Sequence, residues 1–128
     1  MKKLIFVATL LLAPVFAFAA DVQNLKIEAQ GQDQYYNYNF GTVFVNSRHF
    51  VDFTLSATGD EPTVIRRIWI SGAMYSADTN CPEILNPGEK CTARVFFWPY
   101  AEGHHWGELT FVLGQNNIYI RLFGATWR

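Results

Sequence analysis

Among the side chains able to do chemistry, the histidines are the first to test. His104 and His105 are adjacent, and on a strand adjacent residues face opposite sides, so the pair cannot chelate one metal ion together. His49 stands two residues from Ser47, but no nucleophile-elbow glycine pattern frames that serine. The acidic residues are scattered, with no pair in a setting for glycoside hydrolysis. These patterns argue against an enzyme and against a metal or other cofactor. What remains is a pair of cysteines, Cys81 and Cys91, and a chain that is 16% aromatic.

The cysteines acquire meaning from the compartment. Met1-Lys2-Lys3 precedes an apolar run from Leu4 to Phe18, and Ala17-Phe18-Ala19 places small residues where signal peptidase requires them. Residues 1–20 therefore read as a signal peptide. The apolar run is too short to span a bilayer, which takes roughly twenty residues, and no second one follows. After cleavage the expected product is periplasmic or secreted, with no membrane insertion, and consists of one domain over residues 21–128. In an oxidising compartment Cys81 and Cys91 are expected to form a disulfide, and closing that loop stabilises by roughly 2.5–3 kcal/mol on the chain-entropy argument. Without Lys2 and Lys3, the eight remaining Lys and Arg against eleven Asp and Glu give a net charge of −3. No basic cluster is present, which argues against nucleic acid as a partner.

The elements that position these groups follow from periodicity. Apolar residues recur at period two in short runs separated by turn residues. Leu25, Ile27 and Ala29 begin the series, then Val43 and Val45 after Phe40-Gly41, then Val51, Phe53 and Leu55. Ile65, Ile68 and Ile70 follow, with an extra residue at Arg66-Arg67 that implies a bulge. Val95 and Phe97, then Leu109, Phe111 and Leu113, then Ile118, Ile120 and Leu122 complete about seven strands. The Asn86-Pro87-Gly88-Glu89 segment has the composition of a type II turn. Residues 30–39, polar apart from three tyrosines, read as a loop entering the Phe40 strand. The expected architecture is all-β, an immunoglobulin-like two-sheet sandwich.

Parity then assigns faces. With Ile68 and Ile70 inward, Trp69 faces out; with Val95 and Phe97 inward, Phe96 and Trp98 face out; and Val112, Tyr119 and Phe123 join the outward set. If the fourth strand pairs with the last two, Trp69, Val112, Tyr119 and Phe123 share one surface. Trp106 adds a further ring. Outward aromatic area of this extent commonly marks a binding surface; the alternative is that loops or the N-terminal segment cover the rings. A contiguous apolar patch with a polar rim would suit another protein, whereas spaced rings with polar groups between them would suit a glycan.

From Phe40 to Ala125 the order of features resembles the ASH-type, or Hydin-like, immunoglobulin-like domains related to major sperm protein. The resemblance rests on Phe40-Gly41-Thr42-Val43, Ile68-Trp69-Ile70-Ser71-Gly72, Leu85-Asn86-Pro87-Gly88-Glu89-Lys90-Cys91-Thr92, Phe97-Trp98-Pro99 before Gly103, Gly107-Glu108-Leu109-Thr110 and Leu122-Phe123-Gly124-Ala125. It implies a non-catalytic module for protein interaction or scaffolding and names no ligand. A carbohydrate-binding domain is the alternative. Large aromatics at 69, 96, 98, 100 and 106 stand where that family tends to carry Ser or Thr.

Overall fold

The computed structural model describes residues 24–29 and 31–127. The signal peptide assigned to residues 1–20 lies outside the described residues. The described residues form nine strands: β1 (Asn24–Ala29), β2 (Gln34–Phe44), β3 (His49–Ala57), β4 (Thr63–Ser71), β5 (Tyr75–Thr79), β6 (Ile84–Leu85), β7 (Lys90–Phe97), β8 (Gly103–Leu113) and β9 (Asn117–Trp127). They make two sheets, one ordered β1-β3-β7-β5 and the other β2-β9-β8-β4-β6. The all-β immunoglobulin-like sandwich read from the sequence is the observed architecture.

Alternation builds the core between the sheets. Val51, Phe53 and Leu55 of β3 and Val95 and Phe97 of β7 are fully buried, facing Leu109 and Phe111 of β8 and Ile118, Ile120 and Leu122 of β9. Closing the sandwich removes these faces from water at roughly 25 cal/mol per Å² of apolar area. The intervening residues Asp52, Thr54, Arg94, Tyr119 and Arg121 point outward, as the pleat requires. The expected bulge is present: the β4–β8 register shifts between Ile65 and Arg67. The Asn86–Glu89 turn closes with Glu89 N–H donating to the Asn86 carbonyl at 2.9 Å. Gly88 takes φ 86° there, the left-handed conformation that a type II turn demands.

The loop expected over residues 30–39 gives way to strand from Gln34. From Gln34 onward they belong to β2, which pairs in parallel with β9 from Gln34↔Ile118 to Phe44↔Trp127, with a shift between Asn39 and Thr42. Tyr36, Tyr38 and Phe40 pack against the core from this strand while Tyr35, Asn37 and Asn39 face solvent. Their alternation is one of tyrosine with tyrosine and asparagine, so polarity alone does not reveal it. Two further strands, β5 and β6, raise the total above the expected seven. The first is Tyr-Ser-Ala-Asp-Thr and the second has two residues, too short or too polar to show a period.

Candidate functional site

The disulfide is formed between Cys81, just past β5, and Cys91 on β7, with Cα atoms 4.9 Å apart. It ties the β5–β6 connection to the four-stranded sheet.

Pairing of β4 with β8 and of β8 with β9 determines which outward residues meet. Trp69 lies opposite Thr110, Thr110 opposite Tyr119, and Tyr119 opposite Tyr35 on β2. This makes a cross-strand row four strands wide on the outer face of the five-stranded sheet. Tyr35 is 73% exposed and Trp69 40% exposed. The Tyr35 and Tyr119 rings stack with centroids 5.2 Å apart, and the Arg67 guanidinium lies 5.6 Å from the centre of the Trp69 ring. Thr110 is 2% exposed although it sits on the outer face. Its hydroxyl has no hydrogen-bond partner among the described residues, a condition that costs on the order of 1–3 kcal/mol. Val112, half-buried, occupies the neighbouring row beside Asn117.

One row further along, Glu108 faces Arg121, and beyond it Trp106 faces Phe123. These four, with Ser71, line a shallow recess of about 470 Å³ on the same sheet face. Glu108 and Arg121 lie opposite each other, yet the ion pair found among the described residues joins Arg94 and Asp52 on the other sheet. Trp69, Val112, Tyr119, Phe123 and Trp106 thus share one face, divided by a charged row.

Phe96 and Trp98 are on the opposite side of the molecule. Phe96 stands between Phe50 and Ser76 in the four-stranded sheet. The Arg48 guanidinium lies 5.5 Å from the Phe96 ring and 5.1 Å from the Trp98 ring, while Arg94 lies 4.2 Å from Phe50. Arg94 also donates two hydrogen bonds to Asp52, at 2.7 and 3.0 Å. That bidentate contact holds the Asp52 carboxyl below the usual carboxylate range. Arginines lie over these rings, as Arg67 lies over Trp69 on the other face, whereas Tyr35 stacks on Tyr119 and Trp106 on His104. Sequence reasoning missed Tyr35 because its segment read as a loop. It missed the arginine roofs because rotamers, not spacing, create them.

The histidines serve local structure. The Ser47 hydroxyl donates to the Phe44 carbonyl at 2.6 Å and lies 3.0 Å from His49 Nε2, bracing the β2–β3 turn. His105 Nε2 reaches the Ala101 carbonyl and the Thr126 hydroxyl at 2.9 and 3.0 Å. The His105 carbonyl accepts a bond from the Tyr75 hydroxyl at 3.0 Å, and burial pushes the Tyr75 phenol up to about 12. Among the described residues no group of three or more His, Cys, Asp or Glu could hold a metal ion, and no helix is long and apolar enough to cross a membrane.

Comparison with known proteins follows this geometry. No curated protein matches the sequence. Among solved structures, the secreted serine protease VesC from Vibrio cholerae superposes with a TM-score of 0.55 at 11% identity, over 69% of this chain and 21% of that one. The VesB protease from the same organism gives 0.58 at 16% identity, over 70% of this chain and 30% of VesB. The chain therefore spans less than a third of either protease. The ASH/PapD-like domain 7 of human CEP192 gives 0.51 at 11% identity, over 74% of this chain and 83% of that domain. At such identities the likeness is one of fold. The sequence itself matches the HYDIN/CFA65/VesB-like, Ig-like domain over residues 33–125, and with most of its length so covered the chain belongs to that family of immunoglobulin-like domains.

Proposed function

We propose that this protein is an exported, non-catalytic interaction module that binds another protein through the outer face of its five-stranded sheet. The observation carrying the reading is the row Trp69–Thr110–Tyr119–Tyr35, in which rings cross four strands around a buried hydroxyl that has no hydrogen-bond partner among the described residues. Asn117 and Arg67 on one side and Glu108 and Arg121 on the other give the row a polar rim, the anatomy of a protein interface. A partner that parts the rings would satisfy the Thr110 hydroxyl and relieve its desolvation. The Cys81–Cys91 bridge supports an oxidising compartment, periplasmic or extracellular.

The test is differential. Burying Trp69 in a partner is worth about 2 kcal/mol or more, roughly thirtyfold in affinity. Trp69→Ala should weaken binding to a protein that co-purifies with the exported domain by about that factor, with the thermal midpoint nearly unchanged. A large fall in midpoint with binding intact would show the ring to be structural, and the proposal would fail. Retained binding of Trp69→Ala, together with competition by soluble oligosaccharides and loss of binding in Trp106→Ala, would assign the function instead to glycan recognition in the recess between Trp106 and Phe123.

A further inference from the structure

The sheet edges differ in chemistry. An edge strand presents unpaired N–H and C=O groups to any passing strand, and natural proteins blunt it with charge, proline or brevity. β1 carries Lys26 and Glu28, and β5 carries Asp78 and has five residues. At the β4 edge, β6 covers Thr63 and Val64, and Arg66 and Arg67 stand just beyond. β2 is different: its eleven residues, Gln34–Phe44, include neither a charged residue nor a proline. It pairs with β9 on one side and is the outermost strand of its sheet. In a parallel ladder alternate residues turn both backbone groups away from the partner strand, so β2 offers a regular set of donors and acceptors outward.

We infer that β2 is the seat of a second copy of this chain, the two β2 strands pairing antiparallel about a two-fold axis at Asn37. A strand without charge suits a strand without charge, and β2 meets that requirement for itself. Pairing centred on Asn37 sets Asn37 against its own copy, Tyr36 against Tyr38 and Tyr35 against Asn39. The cross-strand contacts are then tyrosine with tyrosine on the inner side, and amide with amide or tyrosine with amide on the outer. Such an interface is isologous and closes at two chains. The bulge sets its length. Between Asn39 and Thr42 the register shifts, Gly41 takes φ 83° and its N–H is held by the Asn39 side chain at 2.7 Å. Beyond that point the strand twists away, so pairing is confined to Gln34–Asn39 and a growing stack of sheets is avoided. The two five-stranded sheets would become one, and the row from Trp69 to Tyr35 would continue across the axis into its twin.

Asn37 is exposed, so charge placed there should leave the fold intact and strike chiefly the pairing. The purified protein should sediment as a dimer. Asn37→Lys and Asn37→Glu, each alone, should sediment as folded monomers, because like charges would lie directly opposite across the axis; loss of the dimer, and in Asn37→Lys the new charge beside Arg121 of β9, should lower the thermal midpoint modestly. Mixed in equal amounts, the two variants should recover the dimer. A wild-type protein that is monomeric at every concentration tested, single variants that stay dimeric, or a mixture that stays monomeric would each overturn the inference. So would a monomeric wild type in which Asn37→Lys weakens capture of a foreign partner, since the edge would then accept a different strand. Trp69 lies three strands from β2, so the loss of partner binding in Trp69→Ala and the loss of dimer in the Asn37 variants are separable results.

Discussion

Phe97→Ala should lower the stability of the domain by about 3–5 kcal/mol, the largest effect expected of a single substitution here. Phe97 is fully buried at the end of β7. Its ring stacks on Tyr75 with centroids 4.9 Å apart and meets Phe40 of β2 at 5.2 Å, so it joins three strands from both sheets. Opposite lies Gly124 of β9, where any Cβ would be driven into the Phe97 ring. Gly124→Ala alone should therefore overpack the core and destabilise by about 1–3 kcal/mol. In the Phe97→Ala background the same methyl enters vacated space and should cost much less. Chemical denaturation of the two single variants and the double variant measures this coupling. Additive costs would show that Gly124 is required for some reason other than the ring. Since domains of this size hold only about 5–15 kcal/mol in all, Phe97→Ala should also reduce the yield of folded protein.

Loss of the Cys81–Cys91 bridge should cost roughly 2.5–3 kcal/mol on the loop-closure argument. The bridge closes a short loop containing β6 and the Asn86–Glu89 turn. Without it, that loop gains freedom chiefly in the unfolded chain. Cys91 is 4% exposed and lies opposite Leu55, so Cys81→Ser combined with Cys91→Ala avoids placing a new hydroxyl in the core. Urea denaturation of this double variant should show the midpoint moving down, while the dependence of partner binding on Trp69 is retained. The bridge belongs to the four-stranded sheet and the proposed contact surface to the other. An oxidised protein that yields two alkylatable thiols, or a double variant as stable as the parent, would contradict this account.

The parts of the fold that were legible in the sequence are those whose inward residues are aliphatic or phenylalanine. Val51, Phe53 and Leu55, or Ile118, Ile120 and Leu122, announce both strand and face, because a period-two run of such residues has no other stable burial. The Arg66-Arg67 bulge was legible because it breaks that period within one strand. The first half of β2, Gln34–Asn39, was not, since Tyr36 and Tyr38 bury their ring bodies while Tyr35, equally polar by type, faces water. The sequence pattern treats the three alike. β5 pairs with β7 from Tyr75↔Phe97 to Thr79↔Ala93, and only the tertiary partner makes Tyr-Ser-Ala-Asp-Thr a strand. For the candidate site, the shared face of Trp69, Val112, Tyr119 and Phe123 followed from parity once β4, β8 and β9 were taken as neighbours. Parity turned Phe96 and Trp98 outward but did not say on which sheet; the structure puts β7 in the four-stranded layer and so carries them to the opposite side. The orphaned Thr110 hydroxyl and the charged row dividing the face depend on packing distances that no spacing rule contains.

The parallel pairing of β2 with β9 has a mechanical consequence. Gln34 lies beside Ile118 and Phe44 beside Trp127, so the chain enters this pair at one end and leaves it at the other. Tension applied between the start of β2 and the end of β9 would slide the two strands along each other and load the ladder in shear; a handle ahead of β1 would load the β1–β3 pairing instead. An antiparallel hairpin pulled from its open end instead releases its bonds one after another. Many hydrogen bonds sharing the load must fail together, and this pair should resist stretching until a single abrupt rupture, readable as one force peak when the domain is held at Gln34 and Trp127.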